Sequence, residues 1–240
     1  MKLMPNDLPR MIDCSLLRND TTPKEVEEFL DICKRERFVC AFVMPCYVDR
    51  ALQALASEPD LHVGGPIGFP TGAEPTAVKL FQAARYVEMG VDELDAVINI
   101  GLVKSGRYDA VLSELRQLAA VADGRPLKVI LETTCLTEQE ISAATELVAV
   151  SGAAYVKTGT GFMPSPTTLR HIEVMAAAAK GRVKMKAAGG IRNLDMLLAC
   201  VRLGVSRFGI KWQSALSILA EMQERYPDGV EIPAWRATHE

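Results

Sequence analysis

The segment "VKMKAAGGIRNLDMLLACVRLG", residues 183–204, contains one complete strand–loop–helix unit. A short apolar run ends at two glycines, and apolar residues then recur at helical spacing. Similar short runs recur along the chain, and several are apolar throughout, which is typical of parallel strands covered on both faces. The predicted strands span residues 11–15, 38–44, 62–69, 93–99, 127–133, 154–158, 183–189 and 206–210.

Amphipathic segments alternate with these strands. The first is well marked, because Thr22 is a suitable N-cap, Pro23 occupies the first helical position and Glu25 completes a capping box. The other predicted helices span residues 74–90, 108–122, 137–152, 166–181, 193–204 and 214–226.

Eight βα units in 240 residues predict a single-domain (β/α)8 barrel over residues 1–240, with residues 1–10 and 225–240 as peripheral termini. A doubly wound open sheet is the alternative fold. No predicted strand is followed by G-x-G-x-x-G with an acidic residue about 20 positions later, as that fold would favour. The barrel is therefore preferred.

The charge balance restricts the class of partner. The chain has 27 basic and 30 acidic residues, a net charge of -3 and no basic block, which argues against nucleic acid and anionic membranes. A small neutral or anionic ligand fits better. The N-terminus lacks the apolar core of a signal peptide, and no stretch reaches the roughly 18 apolar residues of a membrane span. We expect a cytoplasmic protein.

The potential metal ligands are scattered. His62, His171 and His239 do not cluster with one another or with carboxylates at the spacing of a zinc site, so a metal site is not expected. The six cysteines form no C-x-x-C pair and are interpreted as small core residues in a reducing compartment. They are Cys14, Cys33, Cys40, Cys46, Cys135 and Cys200.

Polar residues at strand ends are the candidate site, because the chemistry of such barrels lies at the C-terminal ends of the strands. Asp95, Glu132, Lys157 and Lys186 are in or at the ends of the fourth to seventh predicted strands. Lys157 and Lys186 should face each other across the mouth of the barrel. Mutual repulsion and partial burial both favour a neutral amine, which is the nucleophile of Schiff-base chemistry.

Each of these residues also has a purely structural interpretation. A lysine in a strand can protect a sheet edge or pair with an acid such as Asp95, and Glu132 can be an internal ion-pair residue. Glycines after strands can simply turn the chain. The catalytic interpretation is preferred because two lysines and a carboxylate reach the same rim beside glycine-rich turns.

Six segments together resemble deoxyribose-phosphate aldolases, which are class I aldolases on a (β/α)8 barrel. They are "IDCSLL", "IGFPTG", "DELDAVINIG", "KVILET", "VKTGTGF" and "VKMKAAGGIR", and the resemblance is collinear from about residue 11 to residue 220. The most specific part is K-T-x-T-G-F followed by K-x-x-G-G-[IV]-R.

The resemblance implies a function and residue roles. Lys157 would form the Schiff base, Lys186 would lower its pKa, and Asp95 would transfer protons with a bound water. The implied reaction cleaves 2-deoxyribose 5-phosphate to acetaldehyde and glyceraldehyde 3-phosphate without a cofactor, in a homo-oligomer. Backbone amides at Gly161, Gly189, Gly190 and the turn after Gly209 would bind the phosphate, and the helix start after residue 190 independently favours an anion.

Three departures from the family pattern concern the substrate. "GIKWQ" replaces a Gly-[TA]-Ser-Ser turn, so that Lys211 could bind phosphate or Trp212 could shorten the pocket. Phe42 and Met44 replace a cysteine and an asparagine, and Gly159 replaces a serine. The predicted pocket lining is Ser15, Phe42, Met44, Glu132 and Thr158. The alternatives are an aldolase for a different aldehyde or sugar phosphate, and a non-catalytic barrel that binds a sugar phosphate.

Overall fold

The computed structural model describes residues 2–233, in which eight parallel strands close into a barrel in chain order. The strands of this part of the chain are β1 (Lys2–Leu3), β2 (Ile12–Leu16), β3 (Cys40–Val43), β4 (His62–Ile67), β5 (Glu93–Val97), β6 (Leu127–Ile130), β7 (Tyr155–Lys157), β8 (Lys184–Ala188), β9 (Val205–Lys211) and β10 (Val230–Glu231). Strands β2 to β9 form the barrel. The predicted (β/α)8 barrel and its eight strands are confirmed, and closure excludes the open sheet.

Helices cover the outside of the barrel. They are α1 (Pro23–Glu36), α2 (Val48–Leu55), α3 (Thr76–Met89), α4 (Ile100–Lys104), α5 (Tyr108–Val121), α6 (Glu138–Ala149), α7 (Leu169–Ala179), α8 (Leu194–Arg202) and α9 (Trp212–Arg225). Thr22 accepts a hydrogen bond from the Glu25 amide and the capping box is complete, as predicted for α1. None of the described helices is long and apolar enough to cross a membrane.

Helices α2 and α4 were not predicted. Helix α2 has only eight residues, although its buried residues Val48, Ala51 and Leu55 recur at helical spacing, so a signal for it was present and was missed. Helix α4 has five residues and depends on a local cap, because the Asn99 side chain accepts a hydrogen bond from the Leu102 amide at 3.1 Å. Such short helices are stabilised by caps and packing rather than by their own pattern.

The N-terminal segment is less peripheral than the sequence suggested. A 3-10 turn at Pro5–Met11 leads into β2, and Leu3 and Leu8 are buried in the core. Arg10 donates a hydrogen bond to the Asp60 carbonyl at 2.8 Å, which ties this turn to the loop before β4. Strand β1 pairs antiparallel with β10. Of the predicted C-terminal segment, residues 225–240, the part after residue 233 lies outside the described residues.

The cysteines divide by position. All six are free thiols, and Cys14, Cys33, Cys40 and Cys200 are buried as expected for core residues. Cys46 is exposed and Cys135 is half-buried, because each lies in a 3-10 turn just after a barrel strand rather than within a strand or helix. The prediction of core cysteines is therefore wrong for these two.

Candidate active site

A cavity of about 510 Å³ opens at the C-terminal ends of the barrel strands. Lys157 is the last residue of β7, and Lys186 lies beside it on β8 in direct register. Both side chains line the cavity although they are almost fully buried. The two lysines that the sequence singled out are therefore adjacent at the floor of one pocket.

One carboxylate oxygen holds both lysines. Lys157 Nζ and Lys186 Nζ each donate a hydrogen bond of 2.7 Å to Asp95 Oδ2. Lys186 also contacts Asp13 Oδ2. The predicted trio of Lys157, Lys186 and Asp95 is thus brought together, with one carboxylate oxygen shared by the two amines.

A third lysine lies beneath this trio. Lys128, on β6, is completely buried, and its Nζ donates to Asp95 Oδ1 at 3.0 Å. It also pairs with Glu93, and lies 3.3 Å from Asp13 Oδ2. Both oxygens of Asp95 are therefore occupied by ammonium groups, which fixes the carboxylate in place.

The ion pairs continue toward the opposite end of the barrel. Arg207 Nη1 lies 2.7 Å from Asp13 Oδ1, and Arg207 Nη2 lies 3.4 Å from Glu93 Oε1. His62 Nδ1, at the start of β4, lies 2.7 Å from the same Glu93 oxygen. We call these linked groups the barrel network; its members are Asp13, His62, Glu93, Asp95, Lys128, Lys157, Lys186 and Arg207.

Sequence reasoning missed five members of the network: Asp13, His62, Glu93, Lys128 and Arg207. The sequence did contain a signal for them. Two charged residues that are two positions apart in a short apolar strand face the same side of that strand, which predicts a charged cluster inside the barrel. Glu93 and Asp95 show this spacing on β5.

The network sets the protonation states at the cavity floor. Burial lowers the pKa of Lys157 to about 8, with Lys186 adding to this effect and Asp95 opposing it. Burial alone would raise the pKa of Asp95, but the ammonium groups of Lys128, Lys157 and Lys186 outweigh it and hold that pKa well below its usual range. Asp95 is therefore a carboxylate near neutral pH.

The charges explain which lysine becomes neutral. The three carboxylates of the network are matched in number by three basic side chains other than Lys157, namely Lys128, Lys186 and Arg207. Lys157 is the surplus cation when His62 is neutral, so losing its proton leaves this buried cluster balanced. With a pKa of about 8, about one Lys157 in ten carries a neutral amine at pH 7.

Glycines and cations form the outer part of the cavity. Gly161, Gly189 and Gly190 line it with φ values of 82°, 80° and 116°, where a side chain would be strained. Lys211 lines the cavity and is exposed. Arg18, Arg192 and Ser214 also line it and were missed by sequence reasoning.

Two residues of the altered turn, Gly209 and Trp212, differ in their relation to the cavity, because only Gly209 lines it. Trp212 is the first residue of α9, packs half-buried against the core, and does not line the cavity, so the structure gives no support to a blocked pocket. A Cβ on Gly209 would lie 2.9 Å from Ala188 Cβ and 3.4 Å from Lys186 Cε. Gly209 therefore makes room for the lysine stems at the cavity floor.

The structure places some of the residues predicted for the pocket lining at the cavity and others away from it. Ser15 and Phe42 line the cavity, whereas Met44, Glu132 and Thr158 do not. Thr158 Oγ1 donates to the Ala188 carbonyl at 2.7 Å, because alternation along the strand turns it away from the side that Lys157 faces. Met44 lies beyond the end of β3 and leads into a 3-10 turn.

Glu132 holds the loop after Lys157. Its backbone is left-handed, with φ of 56°, and its carboxylate accepts hydrogen bonds from the Thr160 amide at 3.1 Å and from the Thr160 hydroxyl. A Cβ on Gly159 would lie 2.7 Å from Glu132 Oε1. Glu132 therefore orders the loop from outside the cavity.

We expect Glu132→Ala to lower kcat/KM for the substrate about 10- to 100-fold while the barrel stays folded. Two hydrogen bonds to a charged group are lost, and the Thr160–Gly161 backbone at the cavity wall loosens. Steady-state kinetics and limited proteolysis of the loop are the measurements. Glu138→Ala, on the exposed start of α6, is the matched control, and equal effects of the two substitutions would contradict this role.

One group of potential metal donors occurs among the described residues, formed by Asp13, Cys40 and Glu93. Both carboxylates already pair with cations of the barrel network. Burial also raises the pKa of the Cys40 thiol well above its usual range, which disfavours the thiolate that binds metals. These donors fit internal ion pairing better than a metal.

Curated relatives of the chain and solved structures similar to it include proteins named deoxyribose-phosphate aldolase. No protein-family model matches the sequence. The chain is 42% identical over 219 residues to a deoxyribose-phosphate aldolase of Sinorhizobium medicae, covering 91% of this chain and 88% of that protein. It is 36% identical over 225 residues to one from Klebsiella pneumoniae, covering 91% and 90%. A tetrameric deoxyribose phosphate aldolase structure from Aeropyrum pernix superposes with a TM-score of 0.82 at 30% identity, covering 92% of each chain.

Proposed function

The chain belongs to the deoxyribose-phosphate aldolase family, and from this premise we propose that it reversibly cleaves 2-deoxy-D-ribose 5-phosphate through a Schiff base on Lys157. The products are acetaldehyde and D-glyceraldehyde 3-phosphate. The observation that carries the assignment of Lys157 is its position at the cavity floor with a pKa lowered to about 8. An assay for glyceraldehyde 3-phosphate released from the sugar phosphate tests the reaction.

In the first stage the neutral amine of Lys157 attacks the aldehyde carbon C1 of the open-chain sugar. The resulting carbinolamine loses water and becomes an iminium ion. The iminium occupies the position of the former ammonium group, where Asp95 Oδ2 already lies 2.7 Å from Nζ. Asp95 therefore stabilises the charge without moving.

In the second stage the C2–C3 bond breaks. A base removes the proton of the C3 hydroxyl, the C3–O bond becomes a carbonyl, and the bonding electrons move into the iminium to give an enamine. Asp95 is held ionised but is a weak base, so we assign it the role of accepting a hydrogen bond from the water that takes this proton. Protonation of C2 and hydrolysis release acetaldehyde and restore Lys157.

The phosphate fits the outer end of the cavity. Gly161, Gly189 and Gly190 bring backbone close to the lining, and α8 begins a few residues after Gly190. Arg192 and Lys211 add positive charge at the same end. This end therefore suits a dianion, while the lysines occupy the floor.

We expect Lys211→Ala to raise KM for 2-deoxyribose 5-phosphate about 10- to 100-fold and scarcely to affect non-phosphorylated 2-deoxyribose. The reason is the loss of a charge-assisted contact, which typically contributes about 1.5–3 kcal/mol. Steady-state kinetics with both sugars is the measurement. Lys24→Ala, on the exposed face of α1, controls for a general change in charge. Equal losses on the two sugars would remove the phosphate role.

A second candidate is an aldolase with the same floor chemistry and a different aldehyde or sugar phosphate. Phe42 and Lys211 favour it, because both line the cavity and both depart from the family pattern. Turnover of a panel of aldehydes and sugar phosphates decides between the two substrates. A barrel that only binds sugar phosphates would show binding but no adduct on Lys157.

We also propose a homo-oligomer in the cytoplasm. The relative from Aeropyrum pernix is tetrameric, and α3 exposes Val78 at 42% and Phe81 at 67%. Exposed apolar side chains of this size are suited to an interface. Six free thiols support a reducing compartment. Sedimentation velocity of the purified protein tests the oligomeric state.

A further inference from the structure

We propose that Phe42 determines the size of the donor in this reaction, restricting the compound that forms the enamine on Lys157 to two carbons. The proposal rests on the proposed function and adds a specificity-determining residue to it. It concerns the donor side only, namely C1, which is bonded to Lys157 Nζ, and the carbon atoms attached to C1.

The position of Phe42 is the first argument. It lies on β3, which is directly opposite β7 in the closed order of eight strands. Its ring reaches across the barrel interior and lines the cavity. The ring centroid is 5.9 Å from Lys157 Nζ. Because carbon atoms make contact at about 3.5–4.0 Å, the space between Nζ and the ring holds about one layer of substrate carbon atoms.

The ring cannot easily move aside. Phe42 is buried and pairs in register with Gly64 on β4, where an added Cβ would lie 2.1 Å from the Phe42 ring atom Cζ. The missing side chain of Gly64 is thus the space that the ring occupies. Lys186 Nζ and Lys128 Nζ lie 4.6 Å and 4.9 Å from the ring centroid, within the range of cation–π attraction.

The cavity is open in the other direction. From Lys157 it extends past Gly189 and Gly190 to Arg192 and Lys211. The acceptor part of the substrate, which carries the phosphate, has room there. An additional carbon on the donor, whether on C1 as in a ketone or on C2 as in propanal, instead enlarges the group next to the Phe42 ring. The structure therefore separates a narrow donor side from a long acceptor side.

The test compares donors in the synthetic direction. Acetaldehyde, propanal and acetone are each supplied with D-glyceraldehyde 3-phosphate, and each is also trapped on Lys157 by borohydride and located by peptide mapping. The variants are Phe42→Ala and Phe42→Leu. Ile191→Ala is the matched control, because it removes an apolar side chain from the same cavity at the acceptor end.

We expect the wild-type protein to use and trap acetaldehyde much better than the two larger donors. Phe42→Ala should raise the ratio of kcat/KM for propanal to that for acetaldehyde on the order of 10- to 100-fold, the discrimination typical of one methylene group. Phe42→Leu should give a smaller increase, and it carries the test if Phe42→Ala does not fold. Ile191→Ala should leave the ratio unchanged.

Three results would overturn the proposal. The first is a folded Phe42 variant with the wild-type donor ratio, and the second is a wild-type protein that traps propanal as readily as acetaldehyde. The third is an Ile191→Ala variant that shifts the ratio as strongly as Phe42→Ala, since cavity size in general would then be the cause. A wild-type protein that traps no donor on Lys157 contradicts the proposed function itself, and the donor role of Phe42 with it.

Discussion

Lys157→Met is expected to abolish aldolase turnover, lowering kcat on the order of 10,000-fold or more. The substitution removes the nucleophile and, with it, the iminium that accepts electrons when the carbon–carbon bond breaks. Folding should survive, because methionine fills similar space and the other cations of the barrel network match its three carboxylates. Thermal unfolding and kcat measured on the same preparation separate the two effects.

The site of covalent attachment is the decisive measurement for Lys157. Borohydride reduction with 2-deoxyribose 5-phosphate present should label the peptide that contains Lys157 in the wild-type protein and leave the Lys157→Met variant unlabelled. Lys184→Met is the control, because Lys184 is an exposed lysine only two residues from Lys186. A label on Lys186 would reverse the roles of the two lysines. The absence of any label would contradict the aldolase interpretation.

Lys186→Leu should give the second largest loss, with kcat/KM at pH 7 falling about 100-fold. Lys186 repels the Lys157 ammonium and shares Asp95 Oδ2 with it. When Lys186 is removed, the repulsion is lost and Lys157 no longer shares Asp95 Oδ2. Both changes raise the pKa of Lys157 above about 8. The neutral fraction at pH 7 then falls about tenfold for each unit of increase. Activity should therefore recover partly as the pH rises.

The pH profile distinguishes this role from structural damage. Removing one partner of a buried ion pair typically costs about 3–5 kcal/mol, so the free energy of unfolding will also fall. Lys184→Leu is the control for the loss of a lysine from β8. A folded Lys186→Leu variant with a uniformly lower profile of unchanged shape would show that Lys186 does not tune Lys157.

Most of the fold follows from local patterns in the sequence. The longer helices have a marked apolar face, and several have clear caps such as the Thr22–Glu25 box. The barrel strands are short apolar runs ended by turn residues. Helix α4 has too few residues for a periodic pattern, whereas α2 shows one over only two turns and was missed. The burial of Leu3 and Leu8 depends on how the ends of the barrel are covered, which no local pattern records.

The sequence predicted the residues that carry the chemistry of the candidate site, but not the buried ion pairs beneath them. Searching the C-terminal ends of strands identifies Lys157, Lys186 and Asp95, because a polar residue there is unusual. The same search does not reach Asp13 and Lys128, which are the second residues of β2 and β6 and so lie nearer the N-terminal ends of their strands. Their ion pairs join residues far apart in sequence, and these distances follow only from the closed barrel.

The predictions for pocket-lining residues failed where the backbone departs from regular alternation. Glu132 follows β6, but its left-handed conformation directs the carboxylate to Thr160 instead of the cavity. Thr158 bonds to the neighbouring strand. Phe42 lines the cavity, and its ring lies close to the amines of three lysines on the opposite side of the barrel. The ring fits there because Gly64, its partner in register on β4, has no side chain, and this pairing cannot be read from the sequence alone.

The barrel network has a consequence for evolution and for enzyme design. Its members share carboxylate oxygens, so the effects of substituting them should be strongly non-additive, and double-mutant cycles should show large coupling energies. A change to one member is therefore expected to require a compensating change in another. Grafting this chemistry onto a different barrel would therefore require transplanting the interior charges as a set, because a lysine moved alone would arrive without the neighbours that make it nucleophilic.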